Sequence, residues 1–272
     1  MSSSAPDAAE TGVPIQRVSV GDVEVAYRRD GSGVPLLVLH DLGLGQRWLG
    51  IHALLAGQFD VVAPDHPGFG DTQVAEWMTD FDDLALHYAE LANVLALGQF
   101  HLLGHGFGAW VAAEFAAFYP ERVLTLTLVT PMGVRVAGEP IADLFRMSAD
   151  GRQEIAFNGR ASEVLAGDTE PEPLEAILQD YADLTGYGRF AWNPRYDIRL
   201  DRRLKRITSP SLVIAAEEDH IVPRSHAERY TELLPNARLA IVKGTQAPSS
   251  HAVFIEEPDA VFAEIDTIAR EA

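Results

Sequence analysis

The sequence predicts an α/β fold in which a mostly parallel sheet is flanked by helices. Short segments that are apolar throughout are typical of strands buried on both faces. Segments with helical periodicity lie between most of them, and this alternation is typical of parallel strands joined by right-handed crossovers. The predicted strands span residues 18–20, 23–27, 35–39, 59–63, 100–104, 123–129, 211–215 and 238–242.

The first two predicted strands differ from the others because Gly21 and Asp22 separate them directly. Alternating residues on both sides of such a turn indicate a hairpin. We therefore expect one antiparallel hairpin at an edge of the sheet. Helices are predicted from the alanine-rich segment 107–119, which stops at Pro120, and from the spacing of Leu84, Tyr88, Leu91 and Leu95.

The segment 133–206 breaks this alternation, because it contains no convincing buried strand. Amphipathic periodicity predicts one helix there from Leu174, Ile177, Leu178, Tyr181 and Leu184, and suggests another at Ile141, Leu144 and Phe145. We divide the 272 residues into an α/β-fold core, 14–132 and 207–272, and an inserted helical cap or lid, 133–206. Residues 1–13 are expected to form a flexible leader.

The composition argues against several classes of function. There are 40 acidic and 21 basic residues, a formal net charge of −19, and binding to nucleic-acid phosphates needs clustered Lys and Arg. The absence of cysteine excludes disulfides, zinc–thiolate sites and a cysteine nucleophile. No signal-peptide pattern and no run of about 20 apolar residues is present. We expect a soluble, cytoplasmic protein without nucleic-acid or membrane partners.

Three loops that follow predicted strands are candidates for a binding site, since ligands bind at the carboxyl ends of parallel strands. They span 40–43, 65–70 and 104–108. The third places the pattern G-x-G-x-G between a strand and a helix, which is the frame of a nucleophile elbow with Gly106 at its centre. A plain glycine-rich turn and a phosphate-binding turn are weaker alternatives, because the pattern is not the dinucleotide fingerprint G-x-G-x-x-G.

An acidic residue and a histidine follow this loop in order. Asp219 comes after the strand at 211–215, and His251 comes after the last predicted strand. A histidine base needs a carboxylate that holds its ring in one tautomer. The order elbow, acid, histidine is that of the α/β-hydrolases.

With these motifs the chain resembles the α/β-hydrolase superfamily over nearly its whole length. The resemblance implies an α/β-hydrolase fold, with an eight-stranded sheet and a helical cap after the sixth strand. It also implies that Asp219 is the triad acid, that His251 is the triad base, and that the N–H groups of Leu42 and Phe107 form the oxyanion hole. The matching segments are H-D-L-G at 40–43, D-H-P-G-F-G at 65–70, D-H-I-V-P at 219–223 and S-H-A-V-F-I-E-E-P at 250–258.

The chain departs from the family pattern at Gly106, at Asp41, at Ala216, which replaces a common glycine, and in the loop 244–250 before His251, which is longer than usual. Gly106 stands where serine is usual and cannot act as a nucleophile. Asp41 replaces a glycine, and a carboxylate beside an oxyanion hole would oppose the negative charge that develops there. We expect His40, Asp41 and His105 to line the pocket. The spacing of Asp41, His105 and His251 does not indicate a metal site, so we expect neither a metal nor a cofactor.

Three hypotheses for function follow. We prefer an enzyme that acts on a small, partly apolar molecule, with His251 oriented by Asp219 as general base and no covalent serine step. The second hypothesis is a catalytically inactive hydrolase-fold protein that binds a small molecule. The third is a serine hydrolase inactivated by a Ser→Gly change, in which serine at Gly106 would restore ester hydrolysis. All three leave the oligomeric state open.

Overall fold

The computed structural model describes residues 12–165 and 173–271. Its centre is one eight-stranded sheet, in which each predicted strand is present. The strands are β1 (Gln16–Val20), β2 (Val23–Gly31), β3 (Pro35–Leu39), β4 (Asp60–Pro64), β5 (Phe100–His105), β6 (Val123–Val129), β7 (Ser211–Ala216) and β8 (Ala237–Val242).

The order of the strands is β1-β2-β4-β3-β5-β6-β7-β8. The β1–β2 and β2–β4 pairs are antiparallel. All the remaining neighbouring strands are parallel. The predicted mostly parallel sheet with an antiparallel hairpin at one edge is therefore confirmed.

Helices cover both faces of the sheet, because strand residues alternate between two apolar layers. The helices of the core are α1 (Gly50–Ala56), α2 (Phe81–Val94), α3 (Phe107–Phe118), α8 (Arg224–Leu233), α9 (Val253–Glu256) and α10 (Pro258–Ala269). Leu37 and Leu39 belong to the layer under α2, α3 and α8, whereas Leu36 and Val38 belong to the layer under α1 and α10.

The segment between β6 and β7 is helical, and within its described residues the only β-structure is an isolated bridge between Gly133 and Tyr196. The expectation of a helix at Ile141, Leu144 and Phe145 is wrong, since only a short 3₁₀ turn, Leu144–Arg146, forms there. The role of 133–206 as a cap stays a prediction. Its helices are α4 (Ala149–Ala156), α5 (Ala161–Val164), α6 (Pro173–Ala191) and α7 (Leu200–Arg203).

Helix α6 is present where the amphipathic pattern predicts it, but its apolar stripe faces solvent. Leu174, Ile177, Leu178 and Tyr181 are 58–71% exposed. The buried side of the helix carries Asp183 and Tyr187 instead. The periodicity therefore predicts the helix correctly without showing which face packs on the core.

The predicted leader lies outside the described residues except for Gly12 and Val13. Val13 packs against the core, and its carbonyl accepts a hydrogen bond from Arg28. Among the described residues, no helix combines the length and the hydropathy that a membrane crossing requires.

A buried ion pair joins the end of segment 133–206 to the core. Arg203 on α7 contacts Glu114 on α3 at 2.7 Å, and it also contacts Asp82 on α2 at 2.7 Å. The Glu114 side chain is wholly buried, and its burial raises its pKa to about 7 although Arg203 lowers it. Helix α3 thus depends on Arg203 for charge compensation.

Replacing Arg203 with methionine is expected to lower the free energy of unfolding by about 3–5 kcal/mol, because the buried Glu114 must then either stay ionised without Arg203 or take up a proton. Urea denaturation measures the loss. The matched control is Arg202→Met at the exposed neighbouring position, where we expect a change of about 0.5 kcal/mol or less. Equal losses in the two variants would contradict this role.

Candidate active site

The elbow at the end of β5 is built from three glycines, two of which permit close backbone approach. A Cβ atom on Gly104 would lie 2.3 Å from the carbonyl oxygen of Gly108, and one on Gly108 would lie 2.2 Å from the carbonyl oxygen of Leu39. Gly106 has φ +52°, a conformation that side-chain-bearing residues rarely adopt. The sharp turn therefore forms as the G-x-G-x-G pattern predicts, and it leads directly into α3.

The space in front of Gly106 is filled by the side chain of Asp41. A Cβ atom built on Gly106 would lie 2.2 Å from Asp41 Cγ and 2.3 Å from both carboxylate oxygens. A nucleophile side chain on the elbow would project into this volume. The carboxylate from the β3 loop thus stands where the family's serine side chain would begin.

The Asp41 carboxylate is held by two donors on different elements. Oδ1 accepts the backbone N–H of Phe107 at 2.8 Å, which is the first amide of α3. Oδ2 lies 2.9 Å from Nε2 of His251. Asp41 is only 5% exposed, so these two contacts replace nearly all of its hydration.

His251 lies between two carboxylates. Its Nδ1 is 2.7 Å from Asp219 Oδ2, and its Nε2 faces Asp41. Asp219 Oδ1 accepts the backbone N–H groups of Ile221 and Val222, each at 2.8 Å, so the carboxylate cannot turn away from the ring. The structure therefore brings together Asp41, Gly106, Phe107, Asp219 and His251.

The two carboxylates set the charge state of the histidine. Burial lowers the pKa of His251, but Asp219 and Asp41 outweigh it and raise the pKa to about 10. Burial raises the pKa of Asp41, yet the hydrogen bond and charge of His251 hold it well below its usual range. At neutral pH the site therefore holds an imidazolium between two carboxylates, and His251 cannot accept a proton in this state.

His40 lies behind the site and shapes the Asp41 loop. Its Nδ1 lies 2.8 Å from the carbonyl oxygen of Asp41, and its Nε2 accepts the N–H of His66 at 3.0 Å. His66 contacts the carbonyl oxygen of His40 in return and also contacts the Tyr88 hydroxyl. This network keeps the loop in place, so His40 positions Asp41.

His105 holds the backbone of the loop that carries His251. Its Nε2 donates to the carbonyl oxygen of His251 at 3.0 Å, and burial lowers its pKa. Asp41, His105 and His251 do bring one possible ligand atom each within 4.8 Å of one another. Both nitrogens of His251 already engage carboxylates, so a metal ion would have to displace Asp41 or Asp219. The expectation of no metal therefore stays a prediction.

Two residues that the sequence analysis missed hold the loop 243–250, which connects β8 to His251. Glu217 accepts the N–H of Gly244 at 2.9 Å, and the hydroxyl of Ser249 donates to the Val242 carbonyl at 2.6 Å. The N–H of Glu217 in turn donates to that hydroxyl at 2.9 Å. A buried serine and a glutamate beside a catalytic loop give no distinctive sequence signal, since such residues are common in exposed turns.

Buried aromatic residues pack next to the site, and they too carry no motif. Phe107 contacts Tyr187 and Phe190 of α6, and Tyr187 stacks on Phe145. The Asp41 charge contributes to the raised pKa of Tyr187, although burial is the larger cause. Leu42 packs half-buried against the same core layer, and its role as an oxyanion donor stays a prediction.

A model of the "Alpha/beta hydrolase family" matches residues 36–265. Among curated relatives, the pyrrolizixenacetamide deacetylase of Xenorhabdus hominickii is 24% identical over 258 residues, covering 90% of this chain and 94% of that protein.

Solved structures share the fold. A membrane phospholipase A, described as a bacterial virulence factor, superposes with a TM-score of 0.79 at 24% identity, covering 96% of this chain and 88% of its own. The 2-hydroxy-6-oxo-6-phenylhexa-2,4-dienoate hydrolase of Rhodococcus sp. strain RHA1 superposes with a TM-score of 0.74 at 20% identity, covering 95% and 99%. At these identities the likeness concerns the fold alone.

The stability of the fold is expected to depend on pH through Asp41 and His251. The raised pKa of His251 stabilises the fold fully below about pH 6.5, and this contribution is lost as the pH rises towards about 10. The lowered pKa of Asp41 stabilises the fold above about pH 4, and this is lost in acid. The difference in unfolding free energy between wild type and Asp41→Asn should therefore be larger near pH 6 than near pH 10.

Denaturant titrations across the pH range measure this difference. Asp30→Asn, at an exposed carboxylate on β2, serves as the control and should show no such trend. A wild-type advantage over Asp41→Asn that stays constant from pH 6 to pH 10 would count against the ion pair.

Serine at position 106 is expected to be insufficient for ester hydrolysis. Its Cβ would overlap the Asp41 carboxylate, so Gly106→Ser alone should be inactive and less stable. The double variant Asp41→Gly, Gly106→Ser removes the overlap and frees the Phe107 amide. We expect it to hydrolyse p-nitrophenyl butyrate about 10²-fold or more faster than either single variant. Activity of the Gly106→Ser single variant would refute the steric argument.

Proposed function

The chain belongs to the α/β hydrolase family, and from that membership we propose that it is an enzyme acting on a small, partly apolar molecule through His251 and Asp219, without a serine nucleophile. Family members act on small molecules, and this chain keeps the acid–histidine pair but has Gly106 at the elbow and Asp41 on the Phe107 amide. The proposal replaces the covalent serine step with acid–base chemistry by the histidine.

The observation that carries the proposal is the retained Asp219–His251 pair. Nδ1 of the ring is 2.7 Å from Asp219, and Nε2 is 2.9 Å from the Asp41 carboxylate, which fills the space in front of Gly106. A buried carboxylate bonded to two backbone amides is costly to keep, and its clearest use is to orient the ring. A merely inactivated site would not require this arrangement.

The charge of Asp41 determines whether His251 donates or accepts a proton. While Asp41 is ionised, His251 is protonated and can only donate a proton. Once the charge of Asp41 is neutralised or displaced, Asp219 alone supports the ring, so its pKa falls and it can act as a base. General-base catalysis by His251 therefore belongs to the part of the cycle in which Asp41 is no longer an anion.

The substrate class rests on the surroundings of the pair. The aromatic residues Phe107, Phe145 and Tyr187 favour an apolar group, while Asp41 and His251 supply the polar contacts. The names of similar proteins, a deacetylase and a hydrolase of a phenyl-substituted dienoate, agree with small, partly apolar substrates. Cytoplasmic location and the absence of cofactor, nucleic-acid and membrane partners stay predictions.

A second candidate is a small-molecule binding protein without turnover. It is favoured by the position of Asp41, whose Oδ1 already occupies the Phe107 amide that would stabilise a substrate oxyanion. The third candidate, a serine hydrolase inactivated at one position, is less well supported. Gly106 and Asp41 fit one another sterically, so a single Ser→Gly change does not account for the site.

Replacing His251 with alanine is expected to lower kcat/KM by about 10²–10⁴-fold, because the acid–base group is lost. Asp219→Asn should cause a loss of similar size through the wrong tautomer. The measurement is turnover of a panel of small aryl and alkyl esters, amides and 1,3-diketones. His220→Ala, at the exposed position beside Asp219, is the matched control and should retain activity.

Full turnover by His251→Ala would refute the proposal. Thermal stabilisation by panel compounds without any product, in the wild type, would establish the binding protein instead. Circular dichroism of each variant ensures that lost turnover is not lost folding.

A further inference from the structure

We propose that a groove outside the active site binds a small organic acid, a carboxylate that carries an apolar group. The groove has a volume of about 290 Å³ and lies where segment 133–206 joins the core. Residues 134–141, residues 193–196 and His226 of α8 line it. None of these residues belongs to the cluster around His251, so the proposal goes beyond the proposed function and does not depend on it.

Backbone contacts fix both stretches of chain that line the groove. Gly133 forms a β-bridge with Tyr196, and its carbonyl oxygen accepts the N–H of Asp197 at 2.9 Å. Nε2 of His226 donates to the carbonyl oxygen of Glu139 at 2.7 Å, which ties the first stretch to α8. The groove is therefore preformed, and a ligand that enters it orders little of the chain.

Arg135 gives the groove a positive charge that no carboxylate of the described residues compensates. Its guanidinium lies over the ring of Tyr196, 5.3 Å from the ring centroid. An aromatic face holds a guanidinium through its charge and its flat shape, and it leaves the N–H groups at the edge of the guanidinium free. Arg135 is therefore positioned by the fold and still able to donate hydrogen bonds to an anion.

Arg195 supplies the second positive charge of the groove. Its one ion pair within the described part of the chain joins Nη1 to Asp143 Oδ1 at 3.3 Å. Among the described residues that line the groove, Glu139 alone is acidic, and its Oε2 accepts the Ser225 hydroxyl at 3.4 Å. Because the two arginine charges exceed the one acidic charge, the lining favours an anionic ligand.

The remaining side chains of the groove favour a carboxylate with an apolar group over inorganic phosphate. A guanidinium can donate two parallel hydrogen bonds to either kind of anion. An apolar group would also leave water on contact with the apolar lining, whereas inorganic phosphate would gain nothing there. Ligand pockets usually have volumes of about 300–1,000 Å³, so a groove of this size suits an acid with a single ring. The apolar lining residues are Val134, Val136, Pro140, Ile141 and Pro194.

The bound acid would link the two stretches that connect segment 133–206 to the core. Arg135 belongs to the stretch after β6, and Arg195 belongs to the stretch before α7. An anion contacts both guanidinium groups only while both stretches keep their observed positions. Binding therefore stabilises this arrangement of the segment on the core, and the acid raises the thermal stability of the protein.

Isothermal titration calorimetry with sodium benzoate tests the proposal on the whole wild-type chain. Benzamide is the neutral analogue of the same shape, and inorganic phosphate is an anion without an apolar group. We expect benzoate to bind at one site, about 10-fold or more tightly than either comparison compound. Thermal unfolding followed by circular dichroism should give a higher Tm in benzoate than in benzamide or in sodium chloride of the same ionic strength.

Arginine variants locate the site. Arg135→Gln changes an exposed side chain whose one described contact is the Tyr196 ring, so the variant should fold, and circular dichroism checks this. It should weaken benzoate binding about 10-fold or more, and the double variant Arg135→Gln, Arg195→Gln should abolish it. Arg146→Gln, at an exposed arginine that does not line the groove, is the matched control and should bind benzoate as the wild type does.

Four results would overturn the inference: no benzoate binding, binding that survives the double variant, equal binding of benzamide, or tighter binding of phosphate. His251→Ala should keep the wild-type affinity for benzoate. Loss of binding in that variant would place benzoate in the active site and would also overturn the inference. Turnover of the ester, amide and diketone panel decides the proposed function separately, because it does not involve the groove.

Discussion

The site depends on one steric complementarity: a missing side chain at Gly106 and an additional one at Asp41 share a single volume. The residue type at each of these two positions is explained only by the other. With glycine at both positions, the histidine would face an empty space and the Phe107 amide would lose its partner. With side chains at both, a Cβ atom at position 106 would lie only 2.2 Å from Asp41 Cγ, which is a steric clash. The loops after β3 and β5 are adjacent because their strands pair in parallel, so a change in one is transmitted directly to the other.

The Asp41 carboxylate that fills this volume also changes the charge on His251, which it contacts. A histidine beside one carboxylate can act as a base, but a histidine between two carboxylates stays protonated and can only donate its proton. Burial makes this state robust, because both carboxylates and the ring have little access to water. In the proposed function, the charge of Asp41 thus determines whether His251 donates or accepts a proton.

Much of the fold was predictable from local patterns. Apolar runs mark the six later strands, alternation around Gly21 and Asp22 marks the hairpin, and the G-x-G-x-G turn marks the elbow, because those signals come from neighbours in sequence. Asp219 and His251 were predictable from their order after successive strands. The placement of Asp41 was not predictable. The sequence puts its carboxylate near the predicted oxyanion hole but does not show that the carboxylate binds the Phe107 amide itself. The face that α6 buries was also hidden, because its polar side packs through Asp183 and Tyr187 while its apolar stripe does not.

The exposed apolar stripe of α6 affects how copies of the chain interact in solution. Leu174, Ile177, Leu178 and Tyr181 form the kind of apolar surface that draws identical molecules together. A net charge of −19 opposes this attraction, because two copies repel one another before the stripes meet. Salt shortens the reach of that repulsion to about 10 Å at 0.1 M and about 3 Å at 1 M, while the attraction between apolar surfaces persists. The net negative charge of the chain therefore opposes association through the exposed apolar residues of α6. Ionic strength determines how far the charge repulsion offsets the apolar attraction.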